Sequence, residues 1–144
     1  MRHLESQIII NAPIDKVWRA LTDLASYKNW SSTIEFGKCV LKEDADAEVT
    51  VHFNGTRRRK TATILSVKPH QLFSWEYGHS LFRLITKTWM LQSEGLHQTK
   101  LIHREEHSGM LSSLLSEEKL GRHLPELDLF HRELKKYIEI VIGR

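Results

Sequence analysis

QIIINAPIDKVWRALTDLASYKNW, Gln7 to Trp30, is the stretch on which the reading of this chain turns. Gln7–Asn11 reads as one exposed-edge strand, followed by an Asn-Ala-Pro corner. Pro13 suits a first helical turn, where its missing N–H leaves nothing unsatisfied. Ile14, Val17, Trp18 and Leu21 form a one-sided stripe, so Ile14–Leu21 reads as a short amphipathic helix. Asp15 stands in its first turn, where a negative charge suits the helix dipole. Thr22 and Asp23 end this helix and cap a second turn, Leu24–Trp30, on which Tyr27 and Trp30 share a face. The stretch holds no nucleophile–base pair and no phosphate loop, so it speaks to fold more than to chemistry.

Beyond it the chain is mostly strand until one long helix closes it. Thr33–Leu41 reads as strand, with Ile34, Phe36, Lys38 and Val40 on one side, and Lys42–Ala47 as a charged turn. Glu48–Phe53 alternates cleanly, Asn54-Gly55 is a hairpin signal, and Arg59–Val67 returns until Pro69 ends it. Gln71–Tyr77 places Phe73, Trp75 and Tyr77 on one face. In Phe82–Gln92, Arg83, Ile85, Lys87, Trp89 and Leu91 oppose the face that carries Met90. In His97–His107, Thr99, Leu101, His103, Glu105 and His107 share a face. Strands this long twist, and they can curl around something. Ser108–Glu118 reads as a linker or short helix. From Leu120 a stripe through Leu124, Leu127, His131, Leu134, Ile138 and Val141 gives a helix of about six turns. Pro125 within it requires either a kink or a true start near Leu124. Helices early, a sheet in the middle and a helix at the end predict a curved sheet wrapped on a helix, a shape that encloses a cavity.

Composition bounds the function classes. The 144 residues fit one domain with a substantial core. No window approaches 18 uncharged apolar residues, so no transmembrane segment is expected. Met1 to Glu5 lacks the apolar run of a secretory signal, and Cys39 is the single cysteine, so no internal disulfide forms; a cytoplasmic, reducing setting is expected. The net charge is +3 from 21 basic and 18 acidic residues. The densest basic run, Arg57 to Lys60, has no second run to extend it, so no nucleic-acid footprint is expected. That run reads either as a solvated hairpin whose cations alternate between faces, or as a contact for an anionic ligand or polyanion.

The chain resembles the START-like or SRPBCC superfamily, also called the polyketide cyclase/dehydrase and lipid-transport group. The match lies in Ile8, Ile10, Ala12, Pro13, Ile14, Val17, Trp18, Leu21, Thr22 and Asp23, then in Tyr27 and Trp30. Ala62, Val67, Pro69, Leu72 and Trp75 continue it, and the long last helix fits. Arg57 to Lys60 is more basic than that hairpin usually is, and Ser108 to Lys119 carries an apolar segment where many relatives have a short helix or lid. The resemblance implies an α+β helix-grip fold over residues 1–144. Its parts are a seven-stranded antiparallel sheet wrapped around a long C-terminal helix and two short helices after the first strand. It also implies a cavity between sheet and helix for a small hydrophobic or amphipathic molecule.

Within that fold Tyr27 and Trp30 are expected at the cavity entrance. Trp75, Trp89, Met90, Leu101, Leu127, His103 and His131 complete the candidate ligand-binding set, each with core packing as the competing reading. His103 and Glu105 are the candidate catalytic pair. With His107 they share a strand face at spacings of about 6.5 Å, as a solvated face, a paired group at a cavity mouth, or an acid–base site. No metal and no cofactor are expected. Two further readings stand beside ligand binding: a cyclase or dehydratase acting on a polyketide-like substrate, and an interaction module using Arg57 to Lys60 or Met110 to Leu115. Either a monomer or a homodimer fits.

Overall fold

The computed structural model describes residues 2–53 and 55–142. Asn54 of the hairpin signal therefore lies outside the described residues, as does Met1. Seven strands form one antiparallel sheet: β1 (Arg2–Ile10), β2 (Ile34–Phe36), β3 (Asp46–Phe53), β4 (Thr56–Lys68), β5 (Leu72–His79), β6 (Arg83–Ser93) and β7 (Thr99–Ser108). Their order is β1-β7-β6-β5-β4-β3-β2.

β1 and β2 are thus opposite edges of the sheet, although few residues separate them in the chain. That segment holds α1 (Ile14–Thr22), a 3₁₀ turn (Leu24–Ser26) and α2 (Tyr27–Trp30). Joining two edges by so short a bridge requires the sheet to curl. A bulge between Ile64 and Ser66 in β4 adds local twist. It also re-phases the strand: Ala62 and Ile64 face the core before it, and Val67 packs against the core after it. The edge strand β2 is shorter than the sequence reading of Thr33–Leu41. Only β3 pairs with it, pairing ends at Phe36 opposite Val49, and Val40 is exposed.

α3 (Glu117–Gly121) and α4 (Leu124–Lys136) follow β7, with a π-helical turn at Tyr137–Val141. The expected six-turn helix from Leu120 is therefore broken. Pro125 occupies the first turn of α4, where its missing N–H is tolerated, so it marks a start instead of a kink. Leu127, Phe130, His131 and Leu134 are the buried face of α4. Phe130 meets Tyr27, Trp30 and Trp89 at ring centroid distances of 5.7, 5.1 and 5.4 Å. Burying each such ring contributes about 2 kcal/mol. This is the helix-grip architecture, with the core between the concave sheet face and α4.

Candidate functional site

A cavity of about 670 Å³ opens between the concave face and the N-terminal half of α4. Side-chain alternation builds its wall. β6 turns Arg83, Ile85, Lys87 and Trp89 inward, and β7 turns His103 and Glu105 to the same side. Ile34, Val51, Tyr77, Leu127 and Phe130 supply apolar surface, and His123, just before α4, closes one flank with its ring stacked on Phe53 at 4.0 Å.

Inward-facing polar groups in a sheet need partners, and here they form one network. Lys87 Nζ donates to Glu105 Oε1 at 2.6 Å, and both side chains are buried. Arg83 Nη2 lies 3.3 Å from His107 Nδ1 and 3.5 Å from His123 Nε2. A guanidinium only donates, so these ring nitrogens accept and the protons sit on the far sides. His107 Nε2 then donates to Glu105 Oε2 at 2.9 Å, and His123 Nδ1 lies 3.4 Å from the same oxygen.

The charges follow from this wiring. Burial works to raise the Glu105 carboxyl, but Lys87, the His107 hydrogen bond and His123 hold it well below the usual carboxylate range. Burial opposes charge on Lys87, yet Glu105 outweighs it and raises its pKa. His123 falls to about 4, chiefly through burial. Burial, helped by Lys87, also drives His103 well below its ordinary value. His103 stacks on Trp89 at 4.1 Å, and its Nδ1 and Trp89 Nε1 are buried with no hydrogen-bond partner among the described residues.

The ligand atoms of Glu105, His107 and His123 lie within 4.8 Å of one another, close enough for a cation. The surrounding donors oppose one. A metal-bound neutral imidazole carries its remaining proton on the distal nitrogen. Arg83 sits against that nitrogen in both histidines, donor facing donor, and Lys87 adds a further positive charge beside Glu105.

Of the residues singled out from sequence, Trp89, His103, Glu105 and Leu127 line the cavity. The others do not. Met90 stands on the opposite face of β6, across from Leu72 and Ile102, because alternation cannot place it with Trp89. Trp75 is fully buried beneath the cavity, stacked between Tyr77 and Trp89. Leu101 is a core residue, fully buried one alternation beyond His103. Tyr27 is buried with its hydroxyl donating to the Leu21 carbonyl, and Trp30 stacks on Tyr137 at 5.8 Å. These two seal α2 against α4 and do not form an entrance. His131 is buried against β1, its Nδ1 3.3 Å from Ser6 Oγ, which donates to Asp128 Oδ1 at 2.6 Å. The solvated-face reading of His103, Glu105 and His107 is also overturned, since all three are buried.

Arg83, Lys87, Tyr77 and His123 were missed as site residues. The signal was present for two of them: Arg83 and Lys87 share a strand face with Ile85, Trp89 and Leu91, and cations on such a face imply buried partners. The segment Met110–Leu114 is a 3₁₀ turn tied to the β5–β6 connection by Met110 N–H to the Leu81 carbonyl at 2.8 Å. Met110, Leu111 and Leu114 are exposed there beside Leu81 and Phe82, the kind of apolar patch an interaction module requires.

The architecture defines a helix-grip domain with a cavity whose wall is mostly apolar and carries one buried polar network. The sequence model of the family described as polyketide cyclase / dehydrase and lipid transport matches residues 1–117, and the chain belongs to that family. Among solved structures it is similar to protein NE0264 from Nitrosomonas europaea (TM-score 0.75, 15% identity, 99% of this chain and 97% of that one). It is also similar to TTHA0849 from Thermus thermophilus (TM-score 0.76, 15% identity, 95% and 97%). The Zhui aromatase/cyclase from Streptomyces sp. R1128 matches with TM-score 0.67, 15% identity and 97% coverage of each chain. At these identities the likeness is one of fold. No curated protein matches the sequence.

Proposed function

We propose that this protein binds one small, mostly apolar, amphipathic molecule in the cavity between the sheet and α4. The observation that carries the reading is the cavity of about 670 Å³ itself, left open where a helix-grip core would otherwise fill with side chains. Its size falls within the range of about 300–1,000 Å³ of small-molecule sites. Binding is burial: the apolar part of the ligand leaves water against Ile34, Ile85, Trp89 and Leu127, and the polar wall sets its orientation. Titration with the neutral fluorophore N-phenyl-1-naphthylamine tests the reading. A saturable enhancement at one probe per chain is expected, and no saturable enhancement would overturn it.

A cyclase or dehydratase is the second reading, favoured by His103 and Glu105 both lining the cavity and by the printed name of the Zhui aromatase/cyclase. The electrostatics weigh against it. General acid–base work at neutral pH favours a group that titrates near 7. Glu105 and His123 are shifted below that range, Lys87 is shifted up, and His103 is held neutral. Glu105 is an anion bound to Lys87 and cannot deliver a proton.

A further inference from the structure

The basic run Arg57 to Lys60 divides between two faces of β4, and the division is unequal. Arg57 and Arg59 turn to the convex face, where they pair with Glu35 at 3.4 Å and Glu48 at 3.3 Å. Arg58 and Lys60 turn to the concave face, in phase with the buried Ala62 and Ile64, and line the cavity. Among the described residues neither has an ion-pair partner. Lys119, across the mouth on α3, likewise has none. Deeper in, Lys87 is neutralised by Glu105, and Arg83 meets the imidazoles of His107 and His123, its buried Nε having no hydrogen-bond partner among the described residues. Glu126 also lines the cavity and acts on Lys87, deep beside Glu105. The cavity thus combines apolar surface with cations at its mouth, Arg58, Lys60 and Lys119, that form no ion pair among the described residues.

From this we infer that the cavity selects amphipathic ligands with an anionic head, a carboxylate or phosphate, held at the mouth by Arg58 and Lys60. The inference rests on the ligand-binding reading above and names its ligand class. Two features support a local site over a diffuse effect of net charge. The convex cations of the same strand are answered by Glu35 and Glu48, whereas the concave ones are left open. The concave pair also flanks apolar surface from Val51, Phe53 and Tyr77, so head and tail are served together. An arginine fork matches either oxyanion in two parallel hydrogen bonds, and the adjacent ammonium adds a point charge. A cationic or neutral head of the same tail length would leave these groups unanswered and lose their contribution.

Displacement of bound N-phenyl-1-naphthylamine tests this on the full chain at low salt. The competitors are dodecanoate, dodecyl phosphate, methyl dodecanoate and dodecylamine. At least one of the two anions should compete about tenfold or more better than the ester and the amine, as expected for hydrogen bonds to a charged group. The anion that competes better identifies the head. The preference should shrink with added salt and be lost in Arg58→Gln/Lys60→Gln. It should persist in Arg57→Gln/Arg59→Gln, which removes the same net charge from the convex face. If the fluorophore binds but anions, ester and amine compete equally on the unaltered protein, the inference is wrong while the cavity reading stands. Equal loss of preference in both double variants would also overturn it. If the fluorophore does not bind at all, the cavity reading itself fails.

Discussion

Lys87 on β6 and Glu105 on β7 stand directly opposite each other in the sheet register, and their charged ends meet at 2.6 Å on the buried concave face. Removing one partner strands the other's charge. Glu105→Leu also deprives His107 of its acceptor, so it should cost about 3–5 kcal/mol in urea unfolding at pH 7. The double variant Lys87→Met/Glu105→Leu should be clearly more stable than Glu105→Leu alone. A single variant within about 1 kcal/mol of the parent would show that the pair is not desolvated.

Buried His131 makes stability depend on pH. Its folded pKa of about 4 lies below the unfolded value of 6.5, so on acidification the unfolded chain takes up the proton first. The stability due to neutral His131 is complete above the unfolded value and drains as pH falls toward the folded one. Between pH 7 and pH 5 the loss should be on the order of 2 kcal/mol. His103 and His123 act in the same direction. Urea midpoints at pH 7, 6 and 5 should fall steeply in the parent and less steeply in His131→Gln; equal slopes would remove His131 from the account.

Two glycines should respond oppositely to alanine. Gly78, near the end of β5 and lining the cavity, has φ +111°, and an added Cβ would stand 2.3 Å from the Arg83 carbonyl oxygen. Gly78→Ala should lower stability by more than about 1 kcal/mol. Gly121 ends α3 with no atom within 4 Å of such a Cβ, so Gly121→Ala should raise stability by about 0.4–1 kcal/mol. Melting temperatures of the two variants check both signs.

Leu127 is buried on α4 and lines the cavity. Leu127→Trp directs a larger ring into open space, so fluorophore affinity should fall by about tenfold or more. The stability change should stay within the range of about 1–3 kcal/mol seen for added core volume. Unaltered affinity in a folded Leu127→Trp protein would place the ligand elsewhere.

The order of elements was legible because its signals are local: the stripe from Ile14 to Leu21 and the alternation of β6 and β7; at Pro125 the sequence left a kink and a helix start open, and the structure shows a start. Strand faces were legible too, down to the grouping of His103, Glu105 and His107. What they faced was not. Alternation says which residues share a side, but only the curl of the sheet makes that side concave and dry. The solvated-face reading of Glu105 failed because its partners Lys87 and His123 come from other segments of the chain. Tyr27 and Trp30 were misplaced for a similar reason. A shared helical face identifies a contact surface, and the partner, here Phe130 and Tyr137 of the last helix, is a tertiary fact. Met90 was an error within the sequence reading itself, since it shares β6 with Trp89 at odd spacing.

Native mass spectrometry of the freshly purified protein, incubated with N-phenyl-1-naphthylamine where it carries nothing of its own, tests the cavity most directly. The account predicts the 16.9 kDa chain with one additional small-molecule mass, released on denaturation and diminished in Leu127→Trp. A bare chain under both conditions, or an adduct undiminished in Leu127→Trp, would contradict it.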